Sequence, residues 1–403
     1  MEELNKKTTA APAEMTAEEV MQKFDKESNK REPDGFWGYV ISAICILFAC
    51  FQLYTGIFGV LDAHLQRTIH LCFGMALIYL LYPARASWSR KSMHPVDLVF
   101  AALSVFATMY IYFEYDELVL RAGMNTDTDI MVGILGILLV FEAARRTVGW
   151  PMITVALVFL AYAFAGPYMP GIMAHRGVGF DELVSHLYFT TEGIFGVPMG
   201  VSSTFIYLFI LFGAYLEATG LGKFFIDTAN ALAGWAVGGP AKVAVLSSGL
   251  MGTVSGSSVA NVAGTGSFTI PMMKKLGYRP AFAGAVEAAA STGGQLMPPV
   301  MGAAAFLMAE FVGVPYIDVV KAAVIPAVLY YTGIWIGVHY EAKKYGLKGT
   351  PREELPKFGE LLREKGHLAI PLIIIVYLLV TGYTPMRAAL YAIGLTIVCA
   401  CLR

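Results

Sequence analysis

The chain has 403 residues, of which 57% are hydrophobic and only 15% charged, and its mean hydropathy is +0.61. A soluble domain carries about 25% charged residues and a disordered chain far less apolar material, so both classes are excluded. The net charge of −1 offers no electrostatic footprint for nucleic acid.

The first 35 residues hold 15 charges and no apolar core of a signal peptide. Residues 1–35 read as a polar tail, partly helical around Thr16–Phe24. Charge-free apolar runs then mark the spans. They are Phe36–Ile57, Thr68–Tyr82, Leu98–Phe113, Ile130–Phe141, Trp150–Gly166 and Val201–Leu216, followed late in the chain by Ala322–Tyr340, Leu368–Tyr383 and Ala388–Leu402. Asp181–Thr190 is short and amphipathic, which suits a helix lying at the membrane interface, and residues 220–235 have the same character. The five cysteines sit in apolar runs without a CxxC or a Cys/His cluster, so the sequence predicts no disulfide framework, no metal centre and no cofactor.

Positive charge orients the spans. With the amino terminus in the cytoplasm, inner segments hold 22 Lys/Arg and outer segments four: Arg67, Arg121, Arg176 and Arg387. That bias requires 239–279 to enter and leave on the inner side, as a re-entrant hairpin. The predicted fold is therefore an all-α polytopic membrane protein with about ten crossings and one re-entrant hairpin.

The hairpin region is broken by Gly252–Pro271, GTVSGSSVANVAGTGSFTIP, between the apolar half-helices Ala241–Met251 and Phe268–Met273. Irregular backbone at membrane depth is tolerated only where protein or a cavity surrounds it. Its carbonyls and hydroxyls are hard oxygen ligands suited to Na⁺. A second break, Ser291–Pro299 (STGGQLMPP), interrupts a helix that runs from Ala281 to Ala290 and resumes at Val300. A hairpin beside a discontinuous helix points to a transport site near the bilayer midplane.

The plainer explanation, close packing through small residues, suits one isolated Gly or Ser better than two breaks together. Glu287 is the one acid deep in this region, four residues before Ser291 and on the same helix face. It reads equally as a coupling carboxylate or as a structural partner of a neighbouring hydroxyl or of Lys242. His64, His70, His339 and His367 read as interfacial. An intramembrane serine hydrolase would need a histidine near Ser255, and none lies in 187–338.

The run 238–311, with 166–217 (GPYMPGIMAHRG…FGAYLE) and 141–151 (FEAARRTVGWP), closely resembles the fused membrane component of tripartite ATP-independent periplasmic (TRAP) transporters, in its TAXI variant. The resemblance implies a four-span Q-like domain at 36–146, a linker span at 147–166 and a periplasmic interfacial segment at 167–200. Residues 201–403 then correspond to the first part of an M-like transport domain, with a hairpin at 239–275 and a broken helix at 281–311. It further implies an inverted-repeat, elevator-type carrier in the bacterial inner membrane. Its partners would be the lipid bilayer, a periplasmic TAXI-type binding protein and a small organic anion, usually a carboxylate. Uptake would be coupled to Na⁺, with H⁺ as the alternative. The ligand positions carried over are Ser255, Gly256, Ser257, Ser258 and Asn261 at the hairpin, facing Ser291, Thr292, Gly293 and Gln295. Na⁺ is expected at Ser255, Ser257 and Thr292.

After Phe311 the sequence shows ordinary spans and one small polar cluster, Thr381–Pro385, where the family has a second hairpin and a second broken helix. The expectation is a chain lacking the second half of the M-like domain. On that reading it is a membrane scaffold that inserts but does not transport alone.

Overall fold

The computed structural model describes residues 30–401 apart from 32, 34, 86, 87 and 89–91, so the helix expected around Thr16–Phe24 lies outside the described residues. Every regular element among the described residues is helical. In chain order they are α1 (Phe36–Phe58), α2 (Ala63–Leu81), α3 (Pro95–Phe113), α4 (Tyr115–Leu120), α5 (Asp127–Thr147), α6 (Trp150–Ala165), α7 (Phe180–Tyr188), α8 (Val197–Val201) and α9 (Tyr207–Ala218). There follow α10 (Leu221–Ala233), α11 (Gly239–Ser255), α12 (Ser258–Lys275), α13 (Pro280–Thr292), α14 (Ala303–Val312), α15 (Tyr316–Lys344), α16 (Phe358–Lys365), α17 (Ile370–Val380) and α18 (Pro385–Cys401). Among the described residues five helical stretches are long and apolar enough to cross a membrane: Phe36–Phe58, Pro95–Phe113, Trp150–Tyr168, Val197–Ala218 and Tyr316–Lys344. The chain is an all-α polytopic membrane protein.

Contacts divide it into two compact units, 1–46 with 68–194, and 47–67 with 195–403. In the first, helix starts follow local chemistry. Pro95 opens α3 behind His94, whose ring accepts from the Val96 amide at 3.3 Å. Thr126 and Asp129 form a reciprocal capping box on α5. The short α7 packs Val184 and Tyr188 onto α5, where Gly133 and Gly136 leave room: a Cβ on Gly136 would overlap the Tyr188 ring.

Deep in this unit lies a knot of buried charge. Asp97 Oδ2 accepts from Arg31 Nη2 at 2.5 Å, and Asp97 Oδ1 from Arg146 Nη1 at 2.6 Å, with all three side chains inaccessible. Arg146 also donates to Glu142 at 2.8 Å and to the Tyr82 carbonyl at 3.0 Å, and its guanidinium lies 4.7 Å from the Tyr79 ring centre. Such a pair holds only because each charge keeps its partner in low dielectric.

In the second unit, Val197–Ala218 runs as one helix containing a π turn at Ser202–Ile206. Its buried face, with Phe209, Phe212 and Leu216, belongs to a core shared with Phe306, Tyr316, Leu379 and the small residues Ala388, Ala389 and Ala392 of α18. Helices α11 and α12 form an antiparallel hairpin beside α13 and α15.

Asp97→Ala leaves the buried Arg31 without its anion and Arg146 with Glu142 alone. It should lower the unfolding free energy by about 3–5 kcal/mol, read as a clear drop in melting temperature of the purified protein. An unchanged melting temperature would show that the knot does not hold this unit.

Candidate functional site

The hairpin turn is far tighter than its composition suggests. The irregular backbone is confined to Gly256 and Ser257, whereas Gly252–Ser255 and Ser258–Pro271 are helical. Hydroxyls do not break these helices because several return to nearby carbonyls in the same helix. Thr253 donates to Leu250 O at 2.6 Å, and Ser267 to Gly264 O at 3.3 Å. Pro271 sits inside α12 and removes one ladder bond without ending it.

Gly256 ends α11 at φ 58°, a left-handed conformation that glycine adopts without strain. A Cβ there would also overlap the Met301 carbonyl oxygen. Met301 is itself left-handed at φ 55°, the one such non-glycine among the described residues. Held strain of this kind gathers at ligand sites. Ser257 caps α12, its hydroxyl accepting from the Ala260 amide at 3.3 Å.

The second break lies where it was expected, shifted by a turn. Helix α13 continues through Ser291 and Thr292, a 3₁₀ turn covers Gly293–Gln295, and helix resumes at Ala303. Freed carbonyls need donors. Three tyrosines of α15 donate to carbonyls around the break, one of which, Ala289 O, also accepts from the Gly293 amide. Tyr330 donates to Ala289 O at 2.7 Å, Tyr331 to Ala290 O at 3.0 Å, and the Tyr316 hydroxyl lies 2.8 Å from both Pro299 O and Val300 O.

The two breaks meet. Gln295 Nε2 donates to Ser258 Oγ at 3.2 Å. Asn261, fully buried, donates to Ser248 O at 2.8 Å. Gly252 and Gly294 face each other so closely that a Cβ on Gly252 would overlap Gly294 Cα. Gly293 is packed under the rings of Tyr330 and Tyr331 in the same way.

Ser255, Gly256 and Ser257 border a partly open cavity of about 370 Å³, lined also by Phe209, Glu217 and Phe306 among others. It contains no Lys or Arg. Ser255 Oγ is buried there without a hydrogen-bond partner. Thr292 does not line this cavity, and its hydroxyl donates to Ala288 O at 2.7 Å. Ser291 also turns elsewhere, to Glu287.

Glu287 is fully buried and surrounded by hydroxyls. Its Oε1 accepts from Ser248 at 2.9 Å, Thr265 at 2.5 Å and Ser291 at 3.0 Å, and its Oε2 accepts from Thr269. One carboxylate thus ties both arms of the hairpin to the broken helix. Of the two structural partners considered, hydroxyls hold it and Lys242 does not. Lys242 Nζ lies 3.2 Å from His339 Nδ1 and 5.1 Å from the Trp335 ring centre.

Ser248, the three tyrosines, Met301 and Glu217 were not legible as site residues. Ser248 stands beside Ser247 in the middle of an otherwise apolar stretch with nothing to single it out, and Tyr330 and Tyr331 look like ordinary aromatic residues of a span. The usable signal was spacing: Thr265 and Thr269 repeat at four residues, as do Glu287 and Ser291.

A polytopic membrane protein whose helical hairpin meets a discontinuous helix over a cavity has the build of a permease. The family model described as the tripartite ATP-independent periplasmic transporter, DctM component, matches residues 135–403, and the chain belongs to that family. It is 32% identical over 185 residues to the C4-dicarboxylate TRAP transporter large permease protein DctM of Pseudomonas aeruginosa, covering 46% of this chain and 43% of that protein. It is 27% identical over 274 residues to the sialic acid TRAP transporter large permease protein SiaM of Vibrio cholerae, covering 65% and 57%. It is 29% identical over 202 residues to the isethionate TRAP transporter permease protein DctMQ of Oleidesulfovibrio alaskensis, covering 48% and 30%. The chain spans about half the length of the curated relatives it matches.

Thr265→Val keeps the shape of the side chain and removes one hydrogen bond to a buried carboxylate. It should destabilise the protein by about 1.5 kcal/mol. Thr292→Val, which removes only an exposed return to the helix, should cost a few tenths. Thermal unfolding of both variants checks the order; equal effects would mean that the Glu287 cluster does not clamp the hairpin.

Proposed function

We propose that the chain is the permease part of a binding-protein-dependent secondary transporter of the bacterial inner membrane, importing an organic carboxylate together with Na⁺. Family membership supports the permease. The buried, unpartnered Ser255 hydroxyl at the hairpin tip is the observation that carries the ion site. The resemblance further supports a TAXI-type binding protein as partner and a Q-like role for residues 36–146.

The chemistry of the cavity explains why a cation would be required. A carboxylate entering it meets no Lys or Arg and one like charge, Glu217. In a low-dielectric site an uncompensated anion is strongly disfavoured. A Na⁺ held by Ser255, Ser257 and carbonyls of the tip supplies the missing positive charge, so each ligand raises the affinity for the other. Thr292 does not line the cavity, so it stands outside this set.

The proton is the second coupling reading, through Glu287. Four hydroxyl donors already compensate that carboxylate, which favours a structural role and leaves coupling to Na⁺.

With the complete transporter in proteoliposomes, replacing Na⁺ by choline should reduce uptake to background. Ser255→Ala should raise the half-saturating Na⁺ concentration about tenfold, the equivalent of one lost ligand at ~1.4 kcal/mol. Uptake that ignores choline replacement but collapses in Glu287→Gln would instead establish proton coupling. The orientation is open to a separate check. A cysteine at Lys275 should react with an impermeant thiol reagent only from the cytoplasmic side, and labelling from outside would overturn the re-entrant hairpin.

A further inference from the structure

Away from the transport cavity, α11 and α15 leave a groove of about 400 Å³ between them, lined by Val245, Gly249, Leu250, Val328, Tyr331 and Trp335 among others. Its lining is almost entirely apolar. One end is not. Lys242 precedes Val245 and Leu246 by three and four residues and so lies on the same face of α11. It is only 5% exposed, and its contacts are neutral: the His339 ring and the face of Trp335, which also lines the groove. Among the described residues no carboxylate lies within 4.0 Å of Lys242, whereas Arg279 finds Glu341, two residues after His339, at 3.1 Å. A buried cation with neutral partners is a site awaiting an anion.

We propose that this groove holds an anionic phospholipid, with the headgroup phosphate at Lys242 and one acyl chain along α11. An ammonium can only donate, so His339 Nδ1 accepts from it and orients it, while the ring carries its own proton on Nε2, on the far side from Lys242. The run from Lys242 to Leu250 rises about 12 Å at ~1.5 Å per residue, close to the ~15 Å of one leaflet's hydrocarbon. The same end of α15 carries the exposed Lys343 and Lys344. On the orientation proposed above it faces the cytoplasmic leaflet, where basic pockets between helices select anionic headgroups. Charge decides between this occupant and an apolar protein segment. A segment laid over the groove would bury the unpaired Lys242 further, whereas a phosphate neutralises it. The acyl chain confers no preference, because the surrounding lipid is equally apolar; selectivity resides in the headgroup.

The test is native mass spectrometry of the full chain, released from nanodiscs of mixed phosphatidylglycerol and phosphatidylcholine with identical acyl chains. Retained phosphatidylglycerol should exceed phosphatidylcholine about fivefold, the contribution of one lysine near a headgroup. Lys242→Gln should abolish the excess and Lys242→Arg should keep it. Gly249→Leu leaves the lysine in place but fills the groove, since a Cβ there already lies 3.3 Å from Tyr331. It should reduce retention of both lipids, and it decides the matter if the Lys242 variants fail to fold. Three outcomes would overturn the proposal: no excess in the unmodified chain, an excess that Lys343→Gln with Lys344→Gln removes while Lys242→Gln does not, or displacement of the lipid by millimolar glycerol phosphate, which would mark a site for the phosphate group alone.

Discussion

The second unit is organised around one buried carboxylate. Glu287 draws hydroxyls from α11, α12 and its own helix, and nothing with a positive charge touches it. In the interior of a membrane protein such a group must be compensated on every side. The geometry of the hairpin follows from that demand. Ser248, Thr265 and Thr269 have to converge on one point, which fixes the depth and rotation of both arms against α13. Gly266, where a Cβ would sit 3.0 Å from Glu287 Cγ, is small because the carboxylate stem passes over it.

Once the hairpin is fixed, the breaks become affordable in structural terms. A helix that stops inside the membrane leaves carbonyls without donors. Tyr316, Tyr330 and Tyr331 reach across from α15 to carbonyls on both sides of the break, although Ala289 O also keeps a backbone donor in Gly293. The tip is closed by two residues in left-handed conformations, Gly256 and Met301, pressed together. At the tip itself the Ser255 hydroxyl has no hydrogen-bond partner, and Ser255 is among the residues lining a cavity without a basic residue. The proposed ion site rests on that group.

The two units treat charge in opposite ways. In the first, three arginines and two acids compensate one another at 2.5–2.8 Å, a static arrangement that pins the helices it joins. In the second, Glu287 and Lys242 lie on neighbouring helices and ignore each other; hydroxyls hold the acid, while an imidazole and an indole cover the base. A charge without a countercharge responds to ligands, and the proposed lipid site lies at one of these, Lys242.

The sequence by itself determined the class of protein, the helical stretches and the places where helices break. Hydropathy and helix-breaking residues act locally, so Phe36–Ile57 became Phe36–Phe58 and the amphipathic Asp181–Thr190 became Phe180–Tyr188. It misjudged the size of the first break, because a serine or threonine that returns its proton to its own helix has the same letter as one that disrupts it. Only the tertiary structure decided which hydroxyls face Glu287, that Lys242 turns to His339 instead, that Thr292 stays on the outside of the site, and that tyrosines some forty residues along the chain complete the second break. Each of these depends on which residues of separate helices reach the same point in space, and no periodicity along one helix carries that information.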